Sequence, residues 1–181
     1  MPRPPRPQVR GGIYHLVSRG VRKLPIYTDD ASRRRFLALL DETARRYEWE
    51  LHAWCLMTNH FHLLVTTVEP TVSVGMQYLN GCYAQWYDWR QGYEGHVFER
   101  RFWSALIDTD YHFLEATRYI LLNPVRAGLC KTAEDWSWSS YRKTMGVTAN
   151  GPELSTTFLY EFGRRPQRAR EKFADFIRAA E

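Results

Sequence analysis

The sequence predicts an α+β fold in which an antiparallel sheet and its helices alternate in βαββαβ order, and three observations carry that expectation. β-favouring runs recur at residues 13–18, 50–57 and 60–65, where alternating side chains address opposite faces of a sheet. Two stretches with apolar residues at helical spacing, about 31–47 and 71–90, interrupt those runs. Thr58-Asn59, a two-residue break between the second and third runs, reads as a hairpin turn. The chain has 181 residues, 44% of them apolar, enough for one well-packed domain plus appendages.

Taken in order, residues 1–10 form a basic, proline-rich arm that cannot be helical. Gly11-Gly12 admits the chain to the first strand, and a polar loop follows over 19–30. Asp30 or Ser32 is expected to cap the first helix, with Phe36, Leu39, Leu40 and Thr43 as its inner stripe. The second and third strands form the hairpin. In the helix over 71–90, Val74, Tyr78, Cys82, Gln85 and Trp89 fall near one face, with Tyr83 and Trp86 beside it. Residues 96–107 read as a strand or irregular hairpin. Asp110 is expected to cap a helix over 111–123, with Phe113, Leu114, Thr117, Ile120 and Leu121 as its core stripe and Pro124 as its terminator. Residues 146–153 make the best linker, and two short helices follow, about 155–162 and 166–180. The order is ferredoxin-like, with helices on one face of the sheet and the other face left for a ligand. The expected organisation is an arm at 1–10, a domain at 11–145 and a helical C-terminal extension at 146–181.

Charge narrows the function. The net charge is +5, and residues 1–50 hold 11 basic against 6 acidic side chains, so the surplus is N-terminal. Of 25 basic residues only four are lysines, and arginine's planar fork suits phosphates and guanine edges. A nucleic acid is the expected partner. Arg3, Arg6, Arg10, Arg19, Arg22, Arg100 and Arg101 are the candidates for it on charge, Arg100 and Arg101 lying among aromatics, and Arg126 joins them. No apolar run is long enough to span a membrane and no signal-peptide core is visible, so a cytoplasmic protein is expected. Cys55, Cys82 and Cys130 have no paired spacing and read as reduced thiols.

The chemistry gathers in two places. His60-Phe61-His62 lies on the third strand, where residues two apart share a face, so both imidazoles project together. Such a pair can hold a divalent metal, and the spacing equally describes two hydrogen-bonded histidines. On that face Leu64 and Thr66 continue the row, while Phe61, Leu63 and Val65 point to the core. On the helix over 111–123, His112, Glu115, Tyr119 and Asn123 form a polar row, with Tyr119 and Asn123 one turn apart.

Three blocks in order, residues 57–65, 118–129 and 136–141, resemble the single-tyrosine HUH transposases, and among them the REP-associated tyrosine transposases of bacteria. The resemblance runs from about Gly11 to Tyr141. It implies a helix bearing a catalytic tyrosine, Tyr119, and a divalent ion, Mg2+ or Mn2+, held by His60, His62 and Asn123. It implies single-stranded DNA with a hairpin, REP-like or palindromic, as substrate, cut through a 5′-phosphotyrosine intermediate and rejoined. It implies a bacterial protein at the nucleoid when bound to DNA, working as a monomer or a homodimer. Two other readings keep the same residues: a domesticated hairpin-binding regulator that does not cut, and a metal-dependent hydrolase using activated water. Glu115 and His112 lie on Tyr119's face, and neither stands out as its general base.

Overall fold

The computed structural model describes residues 8–92, 95–99 and 101–180. Four strands, β1 (Ile13–Arg19), β2 (Trp49–Leu56), β3 (His60–Thr67) and β4 (Trp103–Ile107), form one sheet in the order β2-β3-β1-β4, with every neighbouring pair antiparallel. Helices α1 (Asp30–Arg46) and α2 (Val72–Gln91) complete the expected βαββαβ order, and α3 (Asp110–Arg126), α4 (Tyr141–Thr144) and α5 (Pro166–Arg178) follow. The sheet is ferredoxin-like. Its second face, however, is not left open.

Two hydrophobic layers meet at β3. Phe61, Leu63 and Val65 face α1 and α2, in a cluster with Leu16, Phe36, Leu40, Leu79 and Tyr83. Leu64 faces the other way, against Ala53, Cys55, Phe113, Ala116 and Ile120, so α3 covers the face expected to await a ligand. Leu63 and Leu64, adjacent in sequence, are each 0% exposed, and burial of each contributes about 2 kcal/mol. A third cluster joins Leu121 and Leu122 of α3 to Tyr141, Phe173 and Ile177, which ties α5 to α3.

Several boundaries differ from expectation for local reasons. Asp29, not Asp30 or Ser32, caps α1: its carboxylate accepts from the Ser32 N–H (2.8 Å), and the Asp29 N–H donates to Ser32 Oγ (3.1 Å). Ser32 is thus the third residue of a capping box. Helix α2 turns a different side inward: Val72, Gly75, Met76, Leu79 and Tyr83 are buried, whereas Val74 and Trp89 are 50% and 80% exposed. The helix is apolar around much of its circumference, so periodicity alone cannot choose the side. The sheet chooses it, seating the Trp49 ring over Gly75, where no Cβ intervenes. Thr109 rather than Asp110 caps α3, accepting from the His112 N–H at 3.1 Å.

Pro124 does not end α3. It lies buried in the last turn, and the chain stays helical to Arg126, with Ala127 N–H bonding to Asn123 O (3.0 Å) and Leu129 N–H to Pro124 O (2.9 Å). A proline there forfeits the hydrogen bond to the Ile120 carbonyl and crowds that oxygen, costs that the buried last turn absorbs. Among the described residues of 96–107, β4 is the one strand, preceded by an isolated bridge from Phe98 to Gly20. Residues 136–141 close the open edge of β2: Leu56 N–H donates to Trp138 O (2.8 Å), and Ser140 N–H to Trp54 O (2.9 Å). The expected linker at 146–153 packs rather than hangs free, with Pro152 buried and Lys143 Nζ donating to Ala149 O and Gly151 O. Residues 157–162 form a 3-10 helix. Cys55, Cys82 and Cys130 take part in no disulfide among the described residues.

Gly75 yields a prediction that opposes helix propensity. Alanine in a helix interior ordinarily gains about 1 kcal/mol over glycine, yet here an added Cβ would overlap the Trp49 ring, which is 6% exposed and tethered through Nε1 to Thr71 Oγ1 (3.1 Å). Gly75→Ala is expected to lower stability by about 1–3 kcal/mol, the usual cost of overpacking. Urea midpoints of the two proteins check it, and a stabilised variant would contradict the packing.

Candidate active site

Strand β3 brings His60 and His62 to one face, as its alternation requires, with ring centroids 5.0 Å apart. Across the sheet His62 is level with Val17 of β1 and Cys55 of β2, and His60 with Arg19. A third imidazole, not singled out from the sequence, joins them. His15 of β1 sits one diagonal step from His62, and His15 Nε2 lies 2.9 Å from His62 Nδ1 in a buried hydrogen bond. Its signal was present: Ile13, His15 and Val17 alternate onto one face of the first strand. Only strand order and register reveal that this face is the one shared with His62.

Helix α3 supplies the rest. Ile120 and Ala116 are buried against the sheet, and this seating brings Tyr119 over the histidines, with ring centroids 5.7 Å from His62 and 5.9 Å from His15, both edge-on. Tyr119 is 43% exposed, so a substrate can reach it. One turn on, Asn123 brings its side-chain amide beside His60, where it favours the protonated imidazole. Tyr119, Asn123, His60 and His62 are therefore brought together. Glu115 and His112 are engaged elsewhere, Glu115 with Arg118 (2.6 Å) and His112 Nδ1 with Asp108 (3.2 Å). Among the described residues no three His, Cys, Asp or Glu side chains form a metal-ligand group; the set here is two imidazoles and one amide.

Burial governs the protonation of these groups. Desolvation, aided by nearby Arg19, lowers His60 from 6.5 to about 4, against a partial opposing effect of Asn123. Burial and the neighbouring His112 lower His15 to about 4. His62 falls well below its ordinary value through burial, with His15, His60 and Arg19 adding to it. All three are neutral near pH 7. His62 Nε2 is buried and, among the described residues, has no hydrogen-bond partner, whereas His60 Nδ1 lies 2.7 Å from Asn59 Oδ1. Since that oxygen can only accept, His60 Nδ1 carries the proton and Nε2 keeps its lone pair.

The arginines fall into distinct settings. Arg19 ends β1 beside His60, and Arg22 follows in an exposed turn where Arg22 and Lys23 both have positive φ (50° and 60°). The Asn59 side chain ties that turn to the hairpin by donating to Lys23 O at 2.8 Å. The Arg126 guanidinium lies 5.3 Å from the centre of the Tyr119 ring. Arg101 is exposed just before β4. Arg10 pairs with Glu69 at 2.7 Å. Arg3, Arg6 and Arg100 lie outside the described residues. Trp103 of β4, 54% exposed, stands edge-on to His15 at 5.3 Å.

The lowered histidines imply a pH dependence of folding. Each imidazole protonates more readily in the unfolded chain, so between about pH 6.5 and pH 4 the unfolded state binds more protons and stability falls as the pH falls. The urea midpoint is expected to drop between about pH 7 and pH 5, with a shallower drop in His15→Gln/His60→Gln. Identical slopes in the two proteins would exclude this origin.

The family model described as "Transposase IS200 like" matches residues 8–122, a span that contains His60, His62 and Tyr119. A putative REP-associated tyrosine transposase of Haemophilus influenzae is 28% identical over 145 residues, covering 74% of this chain and 82% of that protein. The REP-associated tyrosine transposase of Escherichia coli K12 is 22% identical over 102 residues, 52% of this chain and 56% of its own. The solved structure of a REP-associated tyrosine transposase bound to a REP hairpin shares the fold, with a TM-score of 0.67 at 20% identity over 87% of this chain and 94% of that one. Among the described residues, no helix is long and apolar enough to cross a membrane. Matched by the family model over well more than half its length, with the histidine pair and the tyrosine inside the match, the chain belongs to the IS200-like transposase family.

Proposed function

We propose that this protein cleaves and rejoins single-stranded DNA beside a hairpin, with Tyr119 as the nucleophile. The observation that carries the reading is the accessible Tyr119 standing 5.7 Å, ring to ring, from His62, with the Asn123 amide beside His60. The phenolic oxygen attacks the scissile phosphorus, the bond from phosphorus to the 3′ oxygen breaks, and the 3′ oxygen departs to become a hydroxyl. The phenolic proton is lost, and the 5′ phosphate remains on Tyr119. One phosphoester replaces another, so a 3′-hydroxyl can attack the phosphotyrosine and reseal DNA without an external energy source.

The residues fit a divalent ion, Mg2+ or Mn2+. His62 Nε2 is a buried nitrogen without a partner among the described residues, both imidazoles are held neutral as ligands must be, and Asn123 adds an amide beside His60. When bound, such an ion polarises the scissile phosphate and stabilises the charge that develops there. His60, His62 and Asn123 would hold it. Arg126, over the Tyr119 ring, is placed to contact a phosphate beside the nucleophile.

A DNA hairpin is the proposed partner, as in the solved relative with the shared fold. Arg19, Arg22 and Arg101 would contact its phosphates, with Arg3, Arg6 and Arg100 from the remaining basic segments. Arg10 can join them, because its exposed pair with Glu69 is worth less than about 1 kcal/mol and exchanges readily.

Labelled single-stranded hairpin DNA incubated with the protein and Mn2+ should give a covalent adduct on a denaturing gel. Tyr119→Phe should abolish it, and His60→Ala should reduce cleavage to background while hairpin affinity stays within about threefold of wild type. Cleavage that persists in Tyr119→Phe would instead mean a hydrolase using water. Tight hairpin binding with neither adduct nor cleavage would mean a binding protein that does not cut.

A further inference from the structure

His15 is a buried titratable group in direct contact with His62 that the proposed chemistry leaves without a role. Its Nε2 lies 2.9 Å from His62 Nδ1, and the two residues are 8% and 5% exposed, so the contact is shielded from water. Trp103 stands edge-on to the His15 ring (5.3 Å, 86°), and the Tyr119 ring lies edge-on to it at 5.9 Å. The strand beneath is paired on both sides, by β3 and by β4. His15 is therefore anchored on a strand paired along both edges.

A single proton lies between the two nitrogens, and its ownership decides what His62 presents to the site. If His15 Nε2 donates, the neutral His62 carries its own proton on Nε2, a buried N–H with no acceptor. If His62 Nδ1 donates, His15 Nε2 accepts, and His62 Nε2 bears a bare lone pair. Only the second arrangement can bind a cation. Free histidine in water favours the Nε2–H tautomer, so the second arrangement needs an acceptor fixed opposite Nδ1.

We propose that His15 is a positioning residue that accepts the Nδ1 proton of His62 and thereby fixes both the ring orientation and the tautomer in which His62 Nε2 can bind a divalent ion. The inference rests on the reading of His60, His62 and Asn123 as a cation site. Partners of this kind commonly set ligand affinity by 10- to 100-fold. His60 has its own counterpart in Asn59 Oδ1, at 2.7 Å, so both imidazoles would be oriented through Nδ1 and left free at Nε2.

Two substitutions separate orientation from packing. Glutamine can place an amide oxygen near the position of Nε2, whereas asparagine, one methylene shorter, reaches only to that of Nδ1. Calorimetric titration with Mn2+ alone should show one saturable site in the wild type that His60→Ala removes. His15→Asn should weaken that site about 10- to 100-fold, and His15→Gln should stay within about threefold of wild type. Metal-free protein labelled with nitrogen-15 provides a second readout: imidazole spectra should show His62 protonated at Nδ1 in the wild type and in His15→Gln, and at Nε2 in His15→Asn. Equal Mn2+ affinity in all His15 variants, or a wild-type His62 protonated at Nε2, overturns the role of His15. A wild type with no site sensitive to His60→Ala overturns the cation reading, and this inference with it.

Discussion

Everything in this molecule depends on β3 being buried from both sides. An eight-residue strand, His60–Thr67, must divide its side chains between two layers. Phe61, Leu63 and Val65 enter the core under α1 and α2, and His60, His62 and Leu64 take the face beneath α3. A slip of one residue would drive both imidazoles into an apolar layer and turn Phe61 and Leu63 into the site. Pairing with β1 on one side and β2 on the other excludes that slip, because Val17, His62 and Cys55 form one row across the sheet. The geometry of the site is thus a by-product of sealing two cores at once.

The same burial sets the chemistry. Imidazoles removed from water and surrounded by one another and by Arg19 stay neutral, with open lone pairs at physiological pH. The cations stand outside them, Arg19 at the end of β1 and Arg126 over the Tyr119 ring. A neutral histidine cluster flanked by Arg19 and Arg126 is compatible with the negatively charged substrate proposed for this site. The electrostatic focus lies where the sheet and α3 meet.

Helix α3 belongs to two cores, and Tyr119 lies between them. Phe113, Ala116 and Ile120 rest on the sheet, while Leu121 and Leu122 pack with Phe173 and Ile177 of α5. Arg118, next to Tyr119, bonds Glu115 and lies 4.6 Å from the centre of the Phe176 ring. The C-terminal extension therefore steadies the helix that presents the tyrosine. Pro124 fits the same scheme, since its missing N–H and the crowding of the Ile120 carbonyl are costs that a helix packed on two sides absorbs without ending there.

The sequence alone determined what strand and helix periods encode. The βαββαβ order, the shared face of His60 and His62, and the single-turn spacing of Tyr119 and Asn123 all follow from alternation by two or by about 3.6 residues. It did not determine which side of α2 faces inward, because that helix is apolar around most of its surface and the choice rests on Trp49 meeting Gly75. Nor could it show that α3 covers the second face, or that His15 meets His62. Those pairings join residues far apart in the chain, and their partners are selected by strand order, register and the competition of layers for burial. Local periodicity says which residues share a face; only tertiary packing decides what that face meets.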